Sequence, residues 1–294
     1  MVQDCAGRGA CATYPMPIMH TLDRQHIQIL EADVPDAPVL VYGHGFGCNH
    51  RMWRQVTPAF QRTHRQVLFD YPGSGLSDPA GFDPVRHASL DGYVQDLLEM
   101  LDALGLRAGV HFVGHSVSCS IGLLAAALRP EWFADLVLIG PSPCFLNHPP
   151  DYHGGFESAD LEGMLQLMDQ NYIGWASLLG TIVSGEKGEK NEAGEAGVAG
   201  ELSQSFCSTD PKAARVFARA TFFADNRADL PRVRTPSLIL QHARDSLAPQ
   251  AVGEYLHHHL HDSSLRVLDV AGHCAHMSHP DQVIDAMRGF YART

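Results

Sequence analysis

The sequence is short of positive charge, of paired cysteines and of long apolar runs, and each shortage removes a class of function. Lys and Arg total 21 against 33 Asp and Glu, a formal net charge of −12. Nucleic acid and anionic membrane surfaces attract basic patches, so neither is an expected partner. The seven cysteines, Cys5, Cys11, Cys48, Cys119, Cys144, Cys207 and Cys274, form no CxxC pair and no metal-ligand spacing. They read as reduced thiols, and no metal or other cofactor is predicted. No run of about 18 apolar residues occurs, so no membrane-spanning helix is expected. The first residues lack the charged, apolar and small-residue layout of a signal peptide, which points to a cytoplasmic protein. Internal repeats are absent.

What is present is a chain of 294 residues, a length that α/β folds commonly fill with one domain carrying an insertion. Eighteen histidines make its charge sensitive to mild acidification. Residues 1–17 show no periodicity and are expected to form a flexible arm. His26–Leu30 alternates like an edge strand. Pro38–Tyr42 is a short apolar run that enters the glycine-rich segment 43–47, and Gln66–Asp70 repeats that pattern before the turn 71–75. Leu90, Val94, Leu97, Leu98, Leu101 and Leu104 fall at helical spacing, with Gly105 as the stop. Val110–Val113 and Leu136–Ile139 read as strands around a helix over Ser118–Leu128. This alternation predicts an α/β fold with a mostly parallel central sheet and helices on both faces.

From Pro141 to Arg227 the alternation stops. Leu161–Asn171, Gly174–Val183 and Pro211–Phe223 read as helices, the last capped by Asp210 before Pro211. Ser184–Gly200, dense in Gly, Glu, Lys and Ala, reads as a mobile connector. Strand and helix alternate again over Ser237–Gln241, Pro249–Leu260, Leu265–Val270 and Pro280–Tyr291. The expected division is therefore a core at 18–140 and 228–294, with a helical cap at 141–227.

Gly114-His115-Ser116-Val117-Ser118 stands between a predicted strand and a predicted helix, the setting of a nucleophile elbow. A serine also caps ordinary helices, so the match gains weight only from partners. A neutral serine hydroxyl needs a base, and the base needs an orienting acid. Asp245 follows the strand Ser237–Gln241, and His273 follows the strand Leu265–Val270, giving the order Ser, Asp, His. Asp225 lies in the helical insert, and His276 and His279 lie deeper in the last loop. The expected oxyanion donors are the backbone N–H groups of Val117 and Phe46, while His44 is expected to act as a structural hydrogen-bonder. His257-His258-His259 is contiguous on a helix and cannot converge on one ion.

Several stretches resemble the RsbQ-like family of α/β-hydrolases, bacterial stress-response regulators grouped with the plant karrikin and strigolactone receptors. They are residues 44–49 (HGFGCN), 69–75 (FDYPGSG), 90–93 (LDGY), 113–118 (VGHSVS), 140–147 (GPSPCFLN), 171–176 (NYIGWA), 206–211 (FCSTDP) and 272–280 (GHCAHMSHP). The resemblance spans roughly residues 18–293. It implies an α/β-hydrolase fold, a Ser116–Asp245–His273 triad and a four-helix cap over a narrow apolar pocket. It also implies a signalling role with a PAS-containing PP2C-type phosphatase as partner. Residues 1–17 and 184–200 depart from the family pattern. Phe145, Tyr172, Trp175, Leu178, Phe217 and Phe222 are the candidate pocket residues, with Leu179 beside them on the same predicted helix, although any one of them could simply pack the cap on the core. A pocket so lined favours a small hydrophobic ester, lactone or related carbonyl compound. A stand-alone carboxylesterase without a signalling partner is the competing expectation.

Overall fold

The computed structural model describes residues 22–185 and 197–293. The expected arm at 1–17 and most of the expected connector lie outside the described residues. Seven strands form one sheet in the order β1-β3-β2-β4-β5-β6-β7. They are β1 Ile27–Leu30, β2 Val39–Gly43, β3 Arg65–Phe69, β4 Val110–His115, β5 Phe133–Ile139, β6 Ser237–Arg244 and β7 Ser263–Ala271. Only β1 runs antiparallel, pairing Ile27 with Phe69 at the sheet edge. The central strands are near-continuous apolar runs, Leu40–Tyr42, Phe112–Val113 and Leu136–Ile139, all fully buried. That is the composition a parallel strand needs when helices cover both of its faces.

Helices α1 Leu90–Ala103, α2 Val117–Leu128, α7 Gln250–His259, α8 Ala275–Ser278 and α9 Pro280–Tyr291 belong to this core. Helix α1 buries Leu90, Val94, Leu97 and Leu101, the face its spacing predicts. It stops before Gly105, whose φ of +72° suits the left-handed end of a helix.

Between β5 and β6 the chain builds the cap from α3 Ser158–Gln170, α4 Tyr172–Ser184, α5 Val198–Ser208 and α6 Pro211–Phe222. Helix α5 corrects the connector reading, because Val198–Gly200 are already helical. Its buried face is Leu202 and Phe206, four residues apart. Asn171, expected at the end of α3, closes that helix as its C-cap and also caps α4 by accepting the Gly174 N–H at 3.0 Å. Asp210 accepts the Lys212 and Ala213 N–H groups at the start of α6.

The cap is seated by aromatic packing. Phe217 of α6 stacks on Tyr93 of α1 with ring centroids 4.1 Å apart. Phe46, from the loop after β2, meets Trp175, Phe217 and Phe222 edge-on. Such pairs contribute about 0.5–1.5 kcal/mol each beyond the area they bury.

The chain runs from β2 outward to β3, then returns to the other side of β2 as β4. The loops leaving β2 and β4 therefore diverge at the carboxyl edge of the sheet, where a crevice opens.

Candidate active site

Ser116 lies in that crevice, between β4 and α2, with φ 56° and ψ −120°. A non-glycine residue in this conformation costs about 1–3 kcal/mol and persists only where its surroundings hold it. Here the Ser116 N–H donates to Ile139 C=O at 2.9 Å, and Ser116 C=O accepts the Cys119 N–H. The turn also requires Gly114. A Cβ there would stand 2.8 Å from backbone atoms of Ser118.

Position 118 does more than stay small. The Ser118 hydroxyl donates to His44 C=O at 2.6 Å and lies 2.9 Å from the Tyr71 hydroxyl. His44 fixes the same loop through its ring, with Nδ1–H donating to Gly45 C=O at 2.8 Å and Nε2 accepting the Tyr71 N–H at 3.1 Å. Burial lowers the His44 pKa and so keeps the ring neutral, as this tautomer requires. These bonds set the glycine loop against the elbow, where a Cβ on Gly45 would come within 3.6 Å of Ser116 Cβ.

The three residues expected to act together meet. His273 Nε2 stands 2.8 Å from Ser116 Oγ, and His273 Nδ1 stands 2.8 and 3.0 Å from the two Asp245 carboxylate oxygens. Asp245 also caps its own loop, accepting the Leu247 and Ala248 N–H groups. Burial alone would raise its pKa, but the His273 charge and hydrogen bonds from His242 and His273 hold it below the usual carboxylate range. His242, three residues earlier on β6, brings Nδ1 to 3.2 Å from Asp245. Sequence reasoning missed this second imidazole on the acid.

His115 was missed as well. Its Nε2–H donates to His273 C=O at 2.9 Å, bracing the base from behind. Burial, then the neighbouring His276 and His273, push the His115 pKa well below its ordinary value. His276 is fully buried against Trp53 and His115, with ring centroids 4.6 and 4.4 Å away. Asp225 is exposed and paired with Arg227, far from the role of orienting acid.

The cavity over Ser116 holds about 20 Å³ and is lined by Phe46, Leu179, Val183, Phe206, Phe222 and Leu247, with Cys48, Thr221 and Cys274. That is room for about one water. Burial raises the Cys48 thiol to about 12 and the Cys274 thiol well above its usual value, so neither competes as a thiolate. Of the residues expected to face the cleft, Phe222 and Leu179 line the cavity. Phe145 packs behind it, Trp175 packs on Phe46, and Phe217 packs on Tyr93. Tyr172 donates its hydroxyl to Phe206 C=O. Leu178 is a correction. It is 51% exposed on the outer face of α4, while Leu179, about 100° further round the helix, faces in.

The end of α4 touches both loops of the site. Val183 C=O accepts the His273 N–H at 2.7 Å, and Ile182 C=O accepts the Ser246 hydroxyl at 2.9 Å. Carbonyls in the last turn of a helix have no intrahelical donor. Here the base loop and the acid loop supply the donors.

The profile of the alpha/beta hydrolase family matches residues 39–286. A strigolactone esterase of Pisum sativum is 37% identical over 242 residues, covering 82% of this chain and 88% of that protein. A karrikin insensitive 2 receptor of Petunia hybrida is 35% identical over 249 residues, covering 84% and 88%. Among solved structures, a hydrolase from Oleispira antarctica superposes with a TM-score of 0.86 at 41% identity, covering 93% of this chain and 97% of that one.

Proposed function

The chain belongs to the alpha/beta hydrolase family, and we propose that it cleaves a small hydrophobic ester or lactone through Ser116, His273 and Asp245. The observation that carries this reading is the continuous hydrogen-bonded line from Ser116 Oγ through His273 to Asp245. Ser116 Oγ attacks the substrate carbonyl carbon while His273 Nε2 takes the hydroxyl proton. Asp245, held ionised, stabilises the imidazolium that forms. The developing oxyanion is placed between the N–H groups of Val117 and Phe46. Val117 opens α2, so its N–H is among those with no intrahelical acceptor. His273 then returns the proton to the leaving alkoxide, and water cleaves the acyl-enzyme by the same steps in reverse.

The lining sets the substrate class. Its walls are aromatic and aliphatic, and the Thr221 hydroxyl is buried there with no protein partner among the described residues. A compact apolar body with one polar atom to meet Thr221 matches this lining, once the walls part beyond their present one-water volume. In Ser116→Ala we expect turnover of an activated ester to fall about 10⁴-fold or more. Turnover near the parent level would end the assignment.

The reading extends to signalling of the RsbQ-like kind, in which a ligand shifts the cap and a partner phosphatase of the PAS-containing PP2C type responds. Two observations support it. One relative carries the name of a receptor. The outer face of α4 also exposes Ile173 at 71%, Leu178 at 51% and Ile182 at 43%, more apolar surface than a solvent-facing helix usually shows. Co-incubation with such a phosphatase and an activated ester tests it: ligand-dependent phosphatase activity supports the regulator. Esterase turnover with no effect on the phosphatase identifies a stand-alone carboxylesterase.

A further inference from the structure

The cap joins the core through two crossing strands of chain, and three metal-ligating side chains meet where those strands touch. Outbound, Cys144 follows β5, and His148 sits four residues on. Inbound, Asp225 follows α6. Cys144 and Asp225 pair as an isolated antiparallel bridge, and the Asn226 N–H donates to Pro143 C=O at 2.8 Å. A second bridge, His148 with Tyr152, folds the outbound strand back, and the Tyr152 hydroxyl donates to Cys144 C=O at 2.6 Å. Backbone pairing therefore holds the three side chains together, independently of the triad.

We propose that Cys144, His148 and Asp225 form a binding site for a zinc-class divalent metal that clasps the two cap linkers together. Cys144 Sγ lies 3.5 Å from His148 Nε2, and His148 Nε2 lies 3.8 Å from Asp225 Oδ2. All three donor atoms fall within 4.8 Å of one another. Zinc bonds to sulfur, nitrogen and oxygen put tetrahedral donors about 3.3–3.6 Å apart, so the two pairs that His148 makes are within a few tenths of an ångström of that spacing, and a side-chain rotation brings Cys144 and Asp225 together from within 4.8 Å. His148 and Asp225 are each about two-fifths exposed, which leaves the fourth position to water. The donor set of thiolate, imidazole and carboxylate selects zinc-like ions over calcium or magnesium.

Arg227 shapes the site from one side. Its guanidinium holds the Asp225 carboxylate at 2.6 and 2.8 Å while lying over the Tyr152 ring. It fixes the plane of that carboxylate and opposes extra positive charge, so affinity comes mainly from sulfur and nitrogen. Burial and the nearby Asp225 raise the Cys144 thiol, which is therefore protonated near neutral pH. Binding releases that proton, forms the metal–sulfur bond and uses His148 as neutral imidazole through Nε2.

Cobalt(II) reports thiolate ligation through a near-ultraviolet charge-transfer band that competing zinc erases. The full chain should develop this band with saturation at one equivalent. Cys144→Ser should abolish it, and His148→Gln should weaken binding at least tenfold. His148 is about two-fifths exposed, so the second variant keeps the test open if the first folds poorly. No band, or a band that survives both substitutions, overturns the proposal. The readout needs no hydrolysis, so it stands or falls apart from the role of Ser116.

Discussion

The buried histidines behind the triad give the fold an acid limit that one substitution can expose. His276 is fully buried, and neither ring nitrogen meets a hydrogen-bond partner among the described residues. Burial, then the nearby His242 and His273, lower its pKa well below the ordinary value. A histidine whose folded pKa is depressed is neutral in the folded state and takes up its proton on unfolding, where its pKa is about 6.5. The unfolded chain therefore binds more protons below that pH. The stability His276 permits is complete above about 6.5 and is lost as pH falls. Between pH 7.5 and 5.5 the loss is about 1.4 kcal/mol for one such ring. His115 adds a similar amount through the same sign, a large fraction of a typical 5–15 kcal/mol. His276→Phe keeps an aromatic ring against Trp53 and removes one titration. Urea unfolding at the two pH values should show the parent protein losing about 1.4 kcal/mol more than the variant. Equal losses in both proteins, or a greater loss in the variant, would refute the account of His276 as a neutral buried ring.

Other perturbations read other parts of the site. Phe206→Ala should cost about 3–5 kcal/mol of stability and enlarge the chamber, raising the ratio of kcat/KM for long over short acyl esters; an unchanged ratio would show that Phe206 does not set the size limit. Gly114→Ala puts a methyl 2.8 Å from the Ser118 backbone, so the Ser116 turn must move and kcat should fall about 10²-fold; full activity in that variant would disprove the tight approach. Asp245→Asn should keep the fold and lower kcat about 10⁴-fold by leaving His273 in the wrong tautomer, measured with an activated ester and checked by circular dichroism.

Much of this arrangement was legible in the sequence because it rests on local rules. Apolar strands separated by amphipathic helices predicted the sheet, and Asp210-Pro211 marked the start of α6 to the residue. Ser116, Asp245 and His273, which the structure brings together, were expected from their place after strands, a rule of topology that needs no distances. What escaped depended on facing. Leu178 and Leu179 differ by one position, and only tertiary packing decides which of two neighbouring leucines a helix turns inward. Helix α5 was hidden because Gly197 and Gly200 extend the glycine-rich composition into it, although Val198, Leu202 and Phe206 repeat at four-residue spacing. His242 and His115 gave no local signal, since each gains its role from a loop that is remote in sequence.

The two carbonyls that close α4 have a further consequence. Val183 and Ile182 bond the backbone N–H of His273 and the hydroxyl of Ser246, the neighbour of Asp245, so the cap is latched to the two loops that carry these side chains. The 20 Å³ chamber admits a substrate only when its walls part, and a displacement of α4 that parts them strains or breaks those bonds. Under the proposed mechanism access and reactivity would then be interlocked: an opening that lets a molecule in would slacken His273, and the closure that tightens it would seal the door.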